Sequence, residues 1–276
     1  MSVQTSVYSR YPLRETIQRI SDMGFKGVEI WGNRPHFFVP DMEKGEISSI
    51  RKFIDSLGLE LSCFTPSRDN PRSPVNISSS NEKIRKESVA YLKECIHCAV
   101  DLETKTVCVV PGYYLYGESK REGLDQTVQS INELVECAED NAVNLAIENV
   151  TKFESNIVVT LNDVLDILNR VKSHNLGVLM DVGHLHVTGE SPIDYLKTIG
   201  KQILLIHIDD NDGKSDAHLI PGEGTIGFEP LLIALKKNGY SGYMSFELSS
   251  KYILNPDEAV FKSKRTMEKL CKQLGV

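Results

Sequence analysis

Eight short runs of buried-type residues alternate with eight amphipathic helical patterns along this chain, and no other feature limits its fold as tightly. The spacing predicts strands near Val3–Tyr8, Gly27–Trp31, Glu60–Phe64, Thr106–Val110, Asn144–Glu148, Gly177–Asp181, Ile203–His207 and Gly242–Glu247. Apolar residues at i, i+3, i+4 predict helices over Leu13–Met23, Ile47–Leu57, Glu82–Val100, Leu124–Asn141, Leu161–Lys172, Pro192–Thr198, Glu229–Lys237 and Asp257–Gln273. Eight strands, each followed by a helix, is the count for a closed α/β (β/α)8 TIM barrel. A doubly wound open sheet is the rival arrangement. No linker, repeat or low-complexity segment interrupts the 276 residues, so one domain spanning 1–276 is expected.

Four of those strands end in a residue that can bind a metal. LAIE stops at Glu148, GVLMD at Asp181, ILLIH at His207 and GYMSFE at Glu247. In a barrel the C-terminal strand ends share one mouth, so four distant positions become neighbours. Three carboxylates and an imidazole suit one divalent ion: Mn²⁺, Mg²⁺, Co²⁺ or Zn²⁺. Such an ion would polarise a carbonyl and stabilise the enediolate left when the adjacent proton is removed. A glutamate oxygen can act as the base, and the other glutamate can return a proton. The structural alternative is a set of solvated strand-end charges that cap the following helices.

Long loops follow strands two, three, four and seven, whereas connections such as GFK and LG on the other face are short. A barrel builds its substrate pocket from long loops on that one face. His184 lies three residues beyond Asp181, and the loop after His207 carries Asp216-x-His218. These three can bind a second ion, hold substrate hydroxyls or simply stabilise a polar loop. Glu29, near the end of the second strand, is a candidate substrate contact or a buried hydrogen-bonded acid; Trp31 is a candidate substrate contact, and with Phe37, Phe38, Tyr113, Tyr114 and Tyr116 it forms an aromatic wall or simply packs. Lys214, Arg68 and Arg72 are candidate contacts for a substrate phosphate. His36, His97 and His174 read as surface or packing residues, and His186 as part of a polar loop.

The net charge of −7 makes nucleic acid and anionic membranes poor partners. Neither a signal-type start nor a run of 18 apolar residues is seen, and a cytoplasmic protein with reduced thiols is expected. Cys95 and Cys98 form a CxxC inside a helical pattern, without a second pair, and read as core thiols rather than a zinc or redox motif.

The segments AIENV, LMDVGH, IHIDDNDG and DAHLIPGEGTIGF, in this order, resemble the xylose isomerase-like superfamily of barrels, from GFKGVEIW to SFEL. That group includes sugar and sugar-phosphate isomerases and epimerases, ketose 3-epimerases, hydroxypyruvate isomerase, inosose dehydratase and endonuclease IV. Its ketose-epimerase branch implies Glu148, Asp181, His207 and Glu247 as ligands of one ion, Glu148 and Glu247 as the acid/base pair and His184 as a substrate contact. That branch commonly has an arginine in the loop after the liganding histidine, where this chain reads Gly213-Lys214. Asp216, His218 and His184 match part of the three-zinc site of endonuclease IV. Its two further histidines have no counterpart in CFTPSRDNP and VVPGYYLYG.

The expected function is therefore a metal-dependent sugar or sugar-phosphate isomerase or epimerase working by proton transfer through a metal-stabilised enediolate. The ligand would be a small carbohydrate or keto-polyol, and a homo-oligomer is compatible with this reading. The alternatives are an inosose dehydratase-like lyase, an endonuclease IV-like abasic-site repair enzyme, and a binding protein without activity.

Overall fold

The computed structural model describes residues 1–66 and 74–275. Arg68 and Arg72 lie outside the described residues. Among those described, eight parallel strands are β1 (Ser2–Val3), β2 (Gly27–Gly32), β3 (Glu60–Pro66), β4 (Thr106–Val109), β5 (Asn144–Glu148), β6 (Leu176–Asp181), β7 (Ile203–Ile208) and β8 (Tyr243–Phe246). Their order in the sheet is β1-β8-β7-β6-β5-β4-β3-β2. The seam between β1 and β2 closes through a single parallel bridge, Gln4 with Glu29. The architecture is a TIM barrel.

Helices surround it: α1 (Leu13–Asp22), α2 (Lys44–Ser56), α3 (Glu82–Asp101), α4 (Lys120–Asp140), α5 (Leu161–Val171), α6 (Val182–Thr188), α7 (Pro192–Ile199), α8 (Phe228–Lys237) and α9 (Pro256–Leu274). Local chemistry sets their starts. Asn81 accepts from the Lys83 and Ile84 amides at the head of α3, and Thr160 with Asp163 forms a capping box on α5. None of these helices is long and apolar enough to cross a membrane.

Period-two alternation decides what each strand offers to either side. Leu145, Ile147, Val178, Met180, Ile206, Ile208 and Phe246 point outward into the main core that the helices cover. The residues between them form a separate inner cluster: Cys63, Cys108, Ala146, Leu179 and Leu205. Two residues further along the same face come Glu148, Asp181 and His207. The inner cluster is thus an apolar floor directly beneath the polar strand ends, and burying each leucine there stabilises by roughly 1.5–3 kcal/mol.

Two elements differ from the sequence reading. The first strand is only Ser2–Val3, and Thr5–Tyr8 is a 3-10 turn rather than a strand. The chain leaves the sheet because side chains replace its ladder bonds: Thr5 Oγ1 accepts from the Trp31 amide at 3.0 Å. The segment VGHLHVT, read as loop, is helix α6. Asp181 caps it by accepting from the His184 amide at 2.7 Å, and Gly189 ends it at φ 74°. At seven residues it is too short to show a helical period.

The CxxC cysteines lie in α3, where burial pushes the Cys98 thiol up to about 12 and the Cys95 thiol higher still. Neither is a low-pKa thiol of the redox kind.

Candidate metal centre

Register brings the four strand-end residues together. Asp181 pairs with His207 across β6 and β7, while Glu148 ends β5 and Glu247 immediately follows β8. His207 Nδ1 lies 2.7 Å from Glu247 Oε2, 3.4 Å from Asp181 Oδ2 and 3.5 Å from Glu148 Oε1. One donor atom from each of the four falls within 4.8 Å of all the others. Glu148, Asp181 and His207 are fully buried and Glu247 is 8% exposed.

Three carboxylates in so dry a place repel one another strongly unless a cation stands among them. The donor set itself therefore tests the fit. Asp181 Oδ2 and His207 Nδ1 are buried and make no hydrogen bond among the described residues, and both face the shared centre. Three oxygens and one nitrogen suit a divalent ion of the Mn²⁺, Mg²⁺, Co²⁺ or Zn²⁺ kind.

Asp181 divides its oxygens between two tasks, Oδ1 capping α6 and Oδ2 facing His207. Asn149 fixes the neighbouring strand end, accepting from the Asp181 amide at 3.0 Å and donating to its carbonyl at 3.2 Å. Cys108, from the inner floor, donates its thiol to Glu148 Oε2 at 3.4 Å.

Burial alone would depress the imidazolium of His207, but Glu29 and Glu247 outweigh it and hold that imidazole well above its usual range. That shift favours a proton on His207. A metal must displace that proton, so its affinity rises with pH. Chelator competition is expected to show the dissociation constant falling as pH rises, by up to about tenfold per pH unit for as long as His207 is protonated, and levelling off above that. A flat or opposite trend would contradict a site built on His207.

A second polar group adjoins the first. His184 Nδ1 donates to the Asn149 carbonyl at 2.9 Å, which turns Nε2 toward Asp216 Oδ2 at 3.2 Å and Glu154 Oε2 at 3.3 Å. His218 Nε2 lies 3.4 Å from Asp216 Oδ1, and its Nδ1 lies 2.9 Å from Asp209 Oδ2. The two rings meet edge to face at 5.5 Å. Burial works against charge on both histidines, yet Asp181 and Glu154 raise His184 and Asp209 raises His218. Asp216 is lowered despite its burial because both histidines pair with it. Asp209 is raised to about 7, by burial and then by the nearby Asp181 carboxylate. Gly183 belongs to this packing, since a Cβ there would lie 2.3 Å from Asp209 Oδ1.

The loop that carries His218 is held by Asp210. Its carboxylate accepts from the amides of Gly222 at 2.8 Å and of Gly224 and Ile226 at 3.0 Å. Gly224 approaches so closely that a Cβ would lie 2.3 Å from Asp210 Oδ1. Much of the IDDNDG…GEGTIG pattern is thus scaffold, and it supports His218 at a strained φ of 41°. Asp210→Ala is expected to cost roughly 2–3 kcal/mol in urea unfolding, because the part-buried amides of Gly222, Gly224 and Ile226 lose a charged acceptor. A cost within about 0.5 kcal/mol would contradict this role.

The remaining expected contacts separate. Glu29 is not at the pocket. It is fully buried behind His207, where it accepts from Gln4 Nε2 at 3.1 Å and Thr65 Oγ1 at 2.5 Å. Trp31 stays half-buried at the top of β2 with His36 against it, 6.1 Å between ring centroids. Phe37 is core and packs on Phe64, and Phe38 packs on Tyr91, so neither extends an aromatic wall. Tyr116 is exposed, and Lys214 sits on the exposed side of its loop, its amide bonded to Asp212. His186 bonds Thr225 at 2.8 Å, a loop contact. His36, reaching the Tyr8 and Tyr11 carbonyls at 2.9 Å, is a packing residue.

The sequence from 17 to 270 matches a family described as xylose isomerase-like TIM barrel. The fructoselysine 3-epimerase of Shigella flexneri is 31% identical over 252 residues, covering 91% of each chain. The inosose isomerase of Bacillus licheniformis is 30% identical over 200 residues, covering 70% of this chain and 72% of its own. Among solved structures, a D-tagatose 3-epimerase-like protein superposes with a TM-score of 0.86 at 28% identity, covering 99% of this chain and 97% of its own.

Proposed function

The chain belongs to the xylose isomerase-like TIM barrel family, among sugar isomerases and epimerases, and on that premise we propose a divalent-metal-dependent isomerase or epimerase of a small keto-sugar. One observation carries the reading. Glu148 and Glu247 reach the same imidazole from β5 and β8, three strands apart around the barrel, while Asp181 and His207 fill the space between. When bound, the ion supplies Lewis-acid polarisation of a substrate carbonyl.

The chain's own residues do the rest. One glutamate takes the proton from the carbon beside the carbonyl, and the other delivers a proton from a different side, which inverts or relocates the centre. Asp181 and His207 anchor. The apolar floor of Ala146, Leu179 and Leu205 keeps water from below the centre, which keeps the carboxylates basic. His184, Asp216 and His218 hold the hydroxyls of the substrate away from the reacting carbon.

The polar groups of that wall support a substrate class. Glu154, Asp209 and Asp216 stand beside His184 and His218, an arrangement of paired donors and acceptors that suits hydroxyls or an amine. An unphosphorylated ketose, or a ketose bearing an amino substituent as in the name of the Shigella flexneri relative, fits it. The name of the Bacillus licheniformis relative favours a second reading, a cyclic keto-polyol.

The test is a panel of free ketoses, amino-linked ketoses, inososes and ketose phosphates, incubated in D₂O with metal-loaded enzyme. Deuterium at the carbon beside the carbonyl in a free or amino-linked ketose, without loss of water, is the expected outcome. Exchange confined to phosphates, or dehydration of an inosose, would overturn this choice of substrate and reaction. If His184, Asp216 and His218 hold a second ion instead, titration will show two ions per chain.

A further inference from the structure

Glu29 lies in the middle of β2 and is fully buried against His207. His207 Nε2 lies 3.1 Å from Glu29 Oε1 and 3.2 Å from Oε2. The other neighbours of that carboxylate, Gln4 Nε2 and Thr65 Oγ1, are also placed to donate to it. An ionised carboxylate only accepts, so the His207 nitrogen facing it must carry hydrogen. In the neutral ring that a metal requires, the opposite nitrogen, Nδ1, then carries the lone pair, and it points at Glu148, Asp181 and Glu247.

We infer that Glu29 is a positioning residue that locks His207 with Nε2 as donor and Nδ1 directed into the metal centre. The inference rests on reading those four residues as a metal centre. A carboxylate behind a ligating imidazole fixes its tautomer and orientation and strengthens it as a ligand. Gln4 and Thr65 hold the carboxylate in turn. Gln4 also makes the bridge to Glu29 that closes the barrel between β1 and β2. The seam of the fold and the aim of the ligand therefore meet at one side chain.

The test uses the full chain and zinc as the probe, with affinity measured by chelator competition at fixed pH. Glu29→Gln keeps the volume and one acceptor but removes the charge, and is expected to weaken zinc binding about 10- to 100-fold. The unaltered protein provides a second readout that needs no variant. Long-range ¹H–¹⁵N spectra of the histidine-labelled, zinc-loaded protein should show His207 bearing hydrogen at Nε2 and metal at Nδ1. Zinc affinity unchanged in Glu29→Gln, or metal at Nε2, would overturn the assignment of Glu29 and leave the centre standing. Failure of the unaltered protein to bind zinc would overturn the centre itself and this inference with it.

Discussion

Glu247→Gln and Glu148→Gln should each slow turnover by about 10²- to 10⁴-fold, the range by which a positioned acid or base accelerates proton transfer. The amide keeps the shape of the side chain, so the barrel end is preserved while the proton carrier is lost. Both glutamates also face the centre, and the assay must therefore run at saturating metal to separate chemistry from occupancy. The two variants should differ in kind. With an epimer whose proton Glu148 removes, Glu247→Gln still exchanges that proton with solvent but no longer yields the opposite epimer. With the other epimer the roles reverse. Kinetics and mass spectrometry in D₂O read both effects. Turnover within a few-fold of the unaltered enzyme in either variant would remove that glutamate from the proton path.

Asp181→Asn should have an effect nearly as large. Its Oδ2 is one of three carboxylate oxygens around His207 Nδ1, whereas its Oδ1 caps α6. Asparagine can keep the cap, so the helix survives, but the charge that attracts a cation is gone. Metal retained after gel filtration should fall by about 10²-fold or more, as expected when a first ligand is lost on top of the 10- to 100-fold typical of an outer partner. Zinc at about 1,000 times its dissociation constant should stabilise the parent by about 4 kcal/mol and the variant far less. Equal metal content in both proteins, with equal thermal shifts, would show that Asp181 is no ligand.

The fold and the four central residues were legible for the same reason. Strands buried on both sides are apolar runs, so a lone Glu148, Asp181 or His207 at the end of one stands out, although helix capping competes as an explanation and Asp181 does cap α6. What stayed hidden had no such contrast. Glu29 sits mid-strand, and only the pairing of β2 with β3 and the closure by Gln4 show that it lies beneath His207 rather than in the pocket. Glu154 belongs to an irregular loop whose path no periodicity reveals, although its distance to His184 makes it part of the wall. In IDDNDG, neighbouring aspartates do different work. Asp209 turns inward toward His218 and Asp210 staples the following loop, a distinction that depends on backbone direction and not on residue type. Strand parity was the unused signal: Glu29, Thr65, Cys108 and Ser245 all occupy the inward face that carries the centre.

One divalent ion held by Glu148, Asp181, His207 and Glu247 is what the proposed reaction requires. Crystals soaked in zinc, with anomalous data collected across the zinc edge, test it most directly. The predicted result is one strong peak with all four side chains about 2.0–2.2 Å away and His207 bound through Nδ1. No peak at the strand ends, or a peak held only by His184, Asp216 and His218, would contradict it.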